Sequence, residues 1–172
     1  MKVEVTDEEL AYLYELAKAR HDAKHKSFRN ANQIMPKHKG EQFQALHNID
    51  KQYLPHFLGL VGEFAWAKHT DSEIDTNIYA VRDPGEDFPG IEVRTITYCG
   101  PGEPELKVKC AEYEAKTPKK YVLARFNLKT RELELLGFIT RKTFDKHKVK
   151  KKYGRFLPNN YIVPLSKMRK IA

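Results

Sequence analysis

The stretch HFLGLVGEFAWAKHT, residues 56–70, constrains the fold more than any other. It follows Pro55, which suits the first turn of a helix because its missing N–H would have no intrahelical partner there. Apolar residues occupy nearly the whole circumference, so this helix has to be buried. Glu63 sits inside it, flanked by Val61, Phe64, Ala65 and Trp66. A carboxylate in such surroundings is costly without a partner. A cation would supply one, and so would a nearby Arg or Lys.

After Asp71 the periodicity changes. NIYAV, IEVRTIT, ELKVKC, YVLARF, LELLGFI and YIVPL all read as strands, with turn residues between them. Upstream, Thr6-Asp7-Glu8-Glu9 is a capping-box pattern, followed by Leu10, Leu13, Tyr14 and Ala17 at helical spacing. That pattern predicts a helix to about residue 26. Residues 28–42 read as loop, 41–49 as a short helix and RKTFDKHK as another. No internal repeat is present. Helices followed by a run of strands predict an α+β (mixed α/β) domain, one sheet with helices packed on it. The single domain spans 1–172, with 1–50 as a helical N-terminal extension and 51–172 as the core.

The 172 residues carry a net charge of +8, which favours an anionic partner, nucleic acid before an anionic membrane surface. No run is long enough to span a membrane, and MKVEVTDEEL turns acidic without an apolar signal core, so a cytoplasmic protein is expected. Cys99 and Cys110 lack metal-type spacing and read as a reduced pair. KHKVKKKYGR, residues 146–155, brings Lys150, Lys151, Lys152 and Arg155 close to Tyr153 and Phe156. It is either a solvated loop or a phosphate-tracking stripe with stacking partners. His21 and His25 share a helical face but lack a third ligand, so they read as ordinary surface histidines. Trp66 reads as core.

GIEVRTIT, residues 90–97, carries the chemistry of interest. Over 91–94 it alternates, placing Glu92 and Arg94 on one face. Paired with ELKVKC, that face would also hold Lys107 and Lys109. Just upstream lie Asp83, Glu86 and Asp87. A bend at Phe88-Pro89-Gly90 would bring Asp87 back beside Glu92. Two close carboxylates repel unless a cation sits between them, and hard oxygen ligands favour Mg²⁺ or Mn²⁺. A solvated sheet face with cross-strand ion pairs is the bland alternative.

GEFAWAK, then an Asp, then GIEVRT, ELKVK, YVLARF and LLGFIT resembles, in that order, the PD-(D/E)XK (restriction-endonuclease-like) nuclease superfamily, closest to its small phage and mobile-element members. The resemblance covers roughly residues 55–165. It implies a central mixed sheet flanked by helices and Mg²⁺-dependent hydrolysis of phosphodiester bonds, in DNA before RNA. Asp87 would match the motif Asp, with Asp75, Asp83 and Glu86 competing for the role. Glu92 would match the second acid, Arg94 the lysine position and Glu63 the helix acid. The metal would be bound by Asp87, Glu92 and the Val93 carbonyl. Arginine stays protonated and cannot act as a general base, so Lys107 or Lys109 would take that part, while Lys150, Lys151, Lys152 and Arg155 would track the backbone. Many enzymes of this kind form homodimers to cut both strands, although no segment here announces an interface. The alternatives are a nucleic-acid-binding protein on the same fold that does not cut, and a protein-interaction or inhibitor module.

Overall fold

The computed structural model describes residues 1–27, 49–78, 85–97, 101–155 and 157–171, and main chain alone at 25–27. The helix expected over 41–49 lies outside these residues except for Ile49, which is not helical. The order is β1 (Lys2–Val3), α1 (Asp7–Ser27), α2 (Leu54–Thr70), β2 (Ile91–Thr97), β3 (Glu105–Lys109), α3 (Cys110–Ala115), β4 (Lys120–Phe126), β5 (Leu133–Thr140), α4 (Arg141–His147), β6 (Val149–Lys152) and β7 (Asn159–Pro164), ending in a 3-10 turn at Leu165–Lys167. The class is α+β, as the pattern of elements predicts. No helix among the described residues is long and apolar enough to cross a membrane.

Local chemistry sets the helices. At the start of α1 the Thr6 amide donates to Glu9 Oε2 at 2.8 Å, and the Glu9 amide donates to Thr6 Oγ1 at 3.1 Å. This reciprocal box satisfies two amides that the helix cannot satisfy itself. Pro55 stands in the first turn of α2, and Asp71 closes that helix in the left-handed region. Leu10, Leu13, Leu16 and Ala17 of α1 join Phe57, Leu60, Val61 and Ala65 of α2 in one apolar cluster. The N-terminal helix is therefore part of the core.

Two sheets form where one was expected. The first has the order β1-β5-β4-β2, with β2 and β4 parallel and the other pairs antiparallel. The second is antiparallel, in the order β3-β7-β6. β2 and β3 thus do not pair. They splay apart around an open cleft of about 580 Å³ whose lining includes Thr95, Ile96, Thr97, Glu105 and Lys107. Strand alternation fixes which face is apolar but not which strand lies alongside, and β3 finds its partner in β7. Two further expectations change. Cys110 begins α3 instead of ending a strand, and Asn77 and Ile78 of NIYAV are not in a strand. Cys99 lies outside the described residues.

The first sheet separates two cores. One face packs Val93, Val122, Ala124, Phe126 and Leu135 against α2 and α1. The other packs Tyr121, Leu123 and Ile139 against Leu106, Val108 and Val163 of the second sheet, with Tyr113 of α3 and Phe144 of α4. Trp66 is partly buried against the first core. The close approach of α2 to β2 depends on Gly62. A Cβ there would lie 2.0 Å from Thr95 Oγ1 and 3.2 Å from Val93 Cγ1. Gly62→Ala should therefore destabilise the fold by about 1–3 kcal/mol, as overpacking does. In urea denaturation, adding Thr95→Ala should recover part of the loss. No recovery would mean that the helix contact lies elsewhere.

Candidate functional site

The turn before β2 is built by Phe88-Pro89-Gly90-Ile91. The Ile91 amide donates to Phe88 O at 2.8 Å, and the Phe88 amide returns to Ile91 O at 3.2 Å. Pro89 presets the first central position, and Gly90 supplies the positive φ of 75° at the second, as a type II turn requires. Glu86 braces the turn by accepting from the Gly90 amide at 2.6 Å. Asp87 reaches across to β2 and accepts from the Val93 amide at 2.7 Å. The bend brings Asp87 to the start of the strand, where its charge acts on Glu92. Of the competing acids, Asp75 is bound up in its own turn with Asn77, and Asp83 lies outside the described residues.

Glu92 is 3% exposed and is the one buried charged side chain among the described residues. Its side chain points to the second core, because the alternate residues Val93 and Thr95 face Gly62 of α2. Arg94 Nη2 donates to Glu92 Oε1 at 2.8 Å and to Glu112 Oε2 at 2.9 Å. Lys116 Nζ donates to both Glu92 oxygens, at 3.2 and 3.3 Å. Lys109 joins through Glu112 at 3.2 Å. Burial, then the charge of Asp87, push the Glu92 carboxyl above its ordinary range, although Arg94 and Lys116 pull it down. Burial also acts on Glu112, but Arg94 and Lys109 outweigh it and hold that carboxyl low. Arg94 Nε is buried and finds no acceptor among the described residues.

Lys116 is the residue that the sequence does not reveal. It follows α3, and its placement depends on Arg141 at the head of α4. Arg141 donates to Lys116 O at 2.7 Å, to Tyr113 O at 3.0 Å and to the Tyr121 hydroxyl at 3.2 Å. It thereby binds the orphan carbonyls at the end of α3. Burial raises the Tyr121 phenol to about 12, so that hydroxyl stays protonated here.

Other expected site residues stand elsewhere. Glu63 lies on α2, on the far side of the sheet from the Glu92 side chain, 3.9 Å from Arg20. Lys107 pairs with Glu105 at 3.8 Å and lies over the Tyr153 ring. KHKVKKKYGR is not a loop, since Val149–Lys152 forms the edge strand β6. Strand alternation sends Lys151 to one face and Lys150 and Lys152 to the other. Lys151 approaches Glu105 at 3.8 Å and the Tyr153 ring at 4.8 Å. Arg155 lies just beyond the strand, and Phe156 is outside the described residues. His21 packs edge-on against Tyr53 and His56.

Among the described residues, no group of three His, Cys, Asp or Glu side chains converges as a closed metal cluster. Asp87 and Glu92 offer two hard oxygen donors of the kind that a divalent cation takes. Lys116 already engages both Glu92 oxygens and Arg94 engages Oε1, so a cation bound there would share the carboxylate with them. Comparison with known protein families, with curated proteins and with solved structures returned no match.

A pH prediction follows from the raised carboxyl. A carboxyl raised in the folded state favours folding while it is protonated, and that contribution is lost as pH climbs through its folded value. Wild type should therefore lose stability relative to Glu92→Gln as pH rises from 4.5 upward. Paired urea titrations across pH check this. A difference that stays flat would mean that Arg94 and Lys116 compensate Glu92 fully.

Proposed function

We propose that this chain is a metal-dependent nuclease that hydrolyses phosphodiester bonds in nucleic acid, DNA foremost, in the cytoplasm. The observation that carries the reading is the Asp87–Glu92 pair. The Pro89-Gly90 turn sets Asp87 against the strand that carries Glu92, and Glu92 is buried, with its carboxyl raised by that burial and by the charge of Asp87. Asp87 and Glu92 would hold a Mg²⁺ or Mn²⁺ ion, which would supply Lewis-acid polarisation of a phosphoryl oxygen and a more acidic water. In hydrolysis the water oxygen bonds to phosphorus, the ester P–O bond breaks, water loses a proton and the leaving oxygen gains one. Arg94 is permanently charged, so its part is to neutralise charge that develops on the phosphoryl oxygens. Lys116 puts an ammonium on Glu92 from outside the strand, in the part that Lys107 and Lys109 were expected to play. Glu63 is left with a structural part beside Arg20.

A second reading is a nucleic-acid-binding protein that does not cut. It is favoured by the way Arg94 and Lys116 already engage both Glu92 oxygens. Linear, circular and single-stranded DNA incubated with wild type, Asp87→Asn and Glu92→Gln separates the two. The expected result is cleavage by wild type only when Mg²⁺ or Mn²⁺ is added, with each variant slower by at least about a hundredfold. Salt-sensitive binding without cleavage by any of the three would leave the second reading standing instead. Lys116→Ala should slow cleavage by about ten- to a hundredfold, with Lys116→Arg retaining part of it.

A further inference from the structure

The end of the sheet that carries the Pro89-Gly90 turn also gathers cations. Gly90 O accepts from the Lys119 amide at 2.8 Å and the Lys120 amide at 3.0 Å, and Lys119 O accepts from the Arg141 amide at 2.9 Å. The segment 116–120 is thus tied both to the turn beside Asp87 and to the head of α4. The stem of Lys119 lies over the turn, for a Cβ on Gly90 would come 3.3 Å from Lys119 Cδ. Lys119, Lys120 and Lys142 are all exposed, and none makes an ion pair with a carboxylate among the described residues. Lys120 Nζ lies over the Phe138 ring, 5.7 Å from its centroid.

Most lysines at the second sheet are paired, whereas Lys150 and Lys152 are exposed without an ion pair among the described residues but stand on its outer strand β6. Lys107 and Lys151 share Glu105, Lys109 pairs with Glu112, and Lys148 pairs with Asp145. Tyr153 gives its hydroxyl to Glu105 and lies under two of these lysines, so it offers no bare stacking platform. Lysines on an edge strand such as β6 also block edge-to-edge pairing with another chain.

We propose that the segment 116–120, led by Lys119, is the phosphate-binding rim of the carboxylate site, and that its partner is the backbone of duplex DNA. This rests on the nuclease reading above. Uncompensated cations with no exposed aromatic surface among them contact phosphates and read no bases, which suits a duplex better than a single strand. The backbone lies across the Pro89-Gly90 turn, with one phosphate on Lys119 and the scissile one towards Glu92 and Asp87.

The test is binding of a short fluorescent DNA duplex, and of its single strand, in EDTA at several salt concentrations. Thermal melts of every variant report on folding. Lys119→Ala should weaken duplex binding about threefold to tenfold and reduce the salt slope by about 0.9, the loss of one phosphate contact. Lys119→Arg should retain both affinity and slope. The combined Lys119→Ala, Lys120→Ala, Lys142→Ala variant should lose more than Lys150→Ala, Lys151→Ala, Lys152→Ala. Wild-type affinity and slope in the first combined variant would overturn the rim, as would a larger loss in the second, and a preference for the single strand would overturn the duplex assignment. In each of those cases metal-dependent cutting by wild type would leave the nuclease reading intact. If wild type neither binds nor cuts, that reading fails and the rim fails with it.

Discussion

A carboxylate cannot be left alone between two apolar layers, and much of this fold around β2 answers to that constraint. Glu92 projects from an edge strand into the space between the sheets at 3% exposure. Burying an unpaired charge costs several kcal/mol, so the surrounding chain has to bring cations to it. Arg94 comes from the same strand and Lys116 from the segment after α3. Arg141 helps to hold Lys116 in place by binding the carbonyls at the end of α3. Glu112 then shares Arg94 and is balanced in turn by Lys109. The short helices α3 and α4 look like connectors, yet α3 carries Glu112 and α4 carries Arg141 into this network, while Tyr113 and Phe144 anchor them in the second core.

The charges balance in number, Asp87, Glu92 and Glu112 against Arg94, Lys109 and Lys116, but not in their effect on Glu92. Asp87 is held near Glu92 by the turn, and its repulsion adds to the burial that already disfavours the Glu92 anion. A purely structural ion pair gains nothing from a second carboxylate of the same sign. Strain of this kind suits a ligand that carries positive charge, which is why the pair weighs more in the functional reading than the number of lysines on the surface. Perturbed carboxyls gather where chemistry is done, although structural networks also produce them.

Much of the local structure was legible in the sequence. The Thr6–Glu9 box, Pro55 at the start of α2, the Pro89-Gly90 turn and the strands of IEVRTIT, YVLARF and LELLGFI follow from short-range chemistry that neighbouring residues fix by themselves. Pairing was not legible, because alternation names a face and leaves the neighbour open. That is why β3 was expected beside β2, and Lys107 beside Glu92. Lys116 was hidden for the same reason. It stands 24 residues from Glu92, and its position is decided by Arg141, a further 25 residues along. The strand β1 escaped notice because two residues carry no period, and β6 because a run of lysines reads as loop until a partner strand is known.

The outer edge of β5 is covered by two distant pieces of chain. Lys2 and Val3 pair with Glu134 and Leu133, and Arg169 pairs with Phe138. β1 is synthesised well before its partner, which lies 130 or so residues later in the chain. At ribosomal speeds of about 5–20 residues per second, that is a wait of roughly 7 to 26 seconds. During synthesis α1 and α2 can meet early, since their shared apolar faces come from the first part of the chain. The central sheet cannot close on that schedule. Its edge stays open until late, which makes the nascent chain a client for whatever shields unpaired strands in the cell.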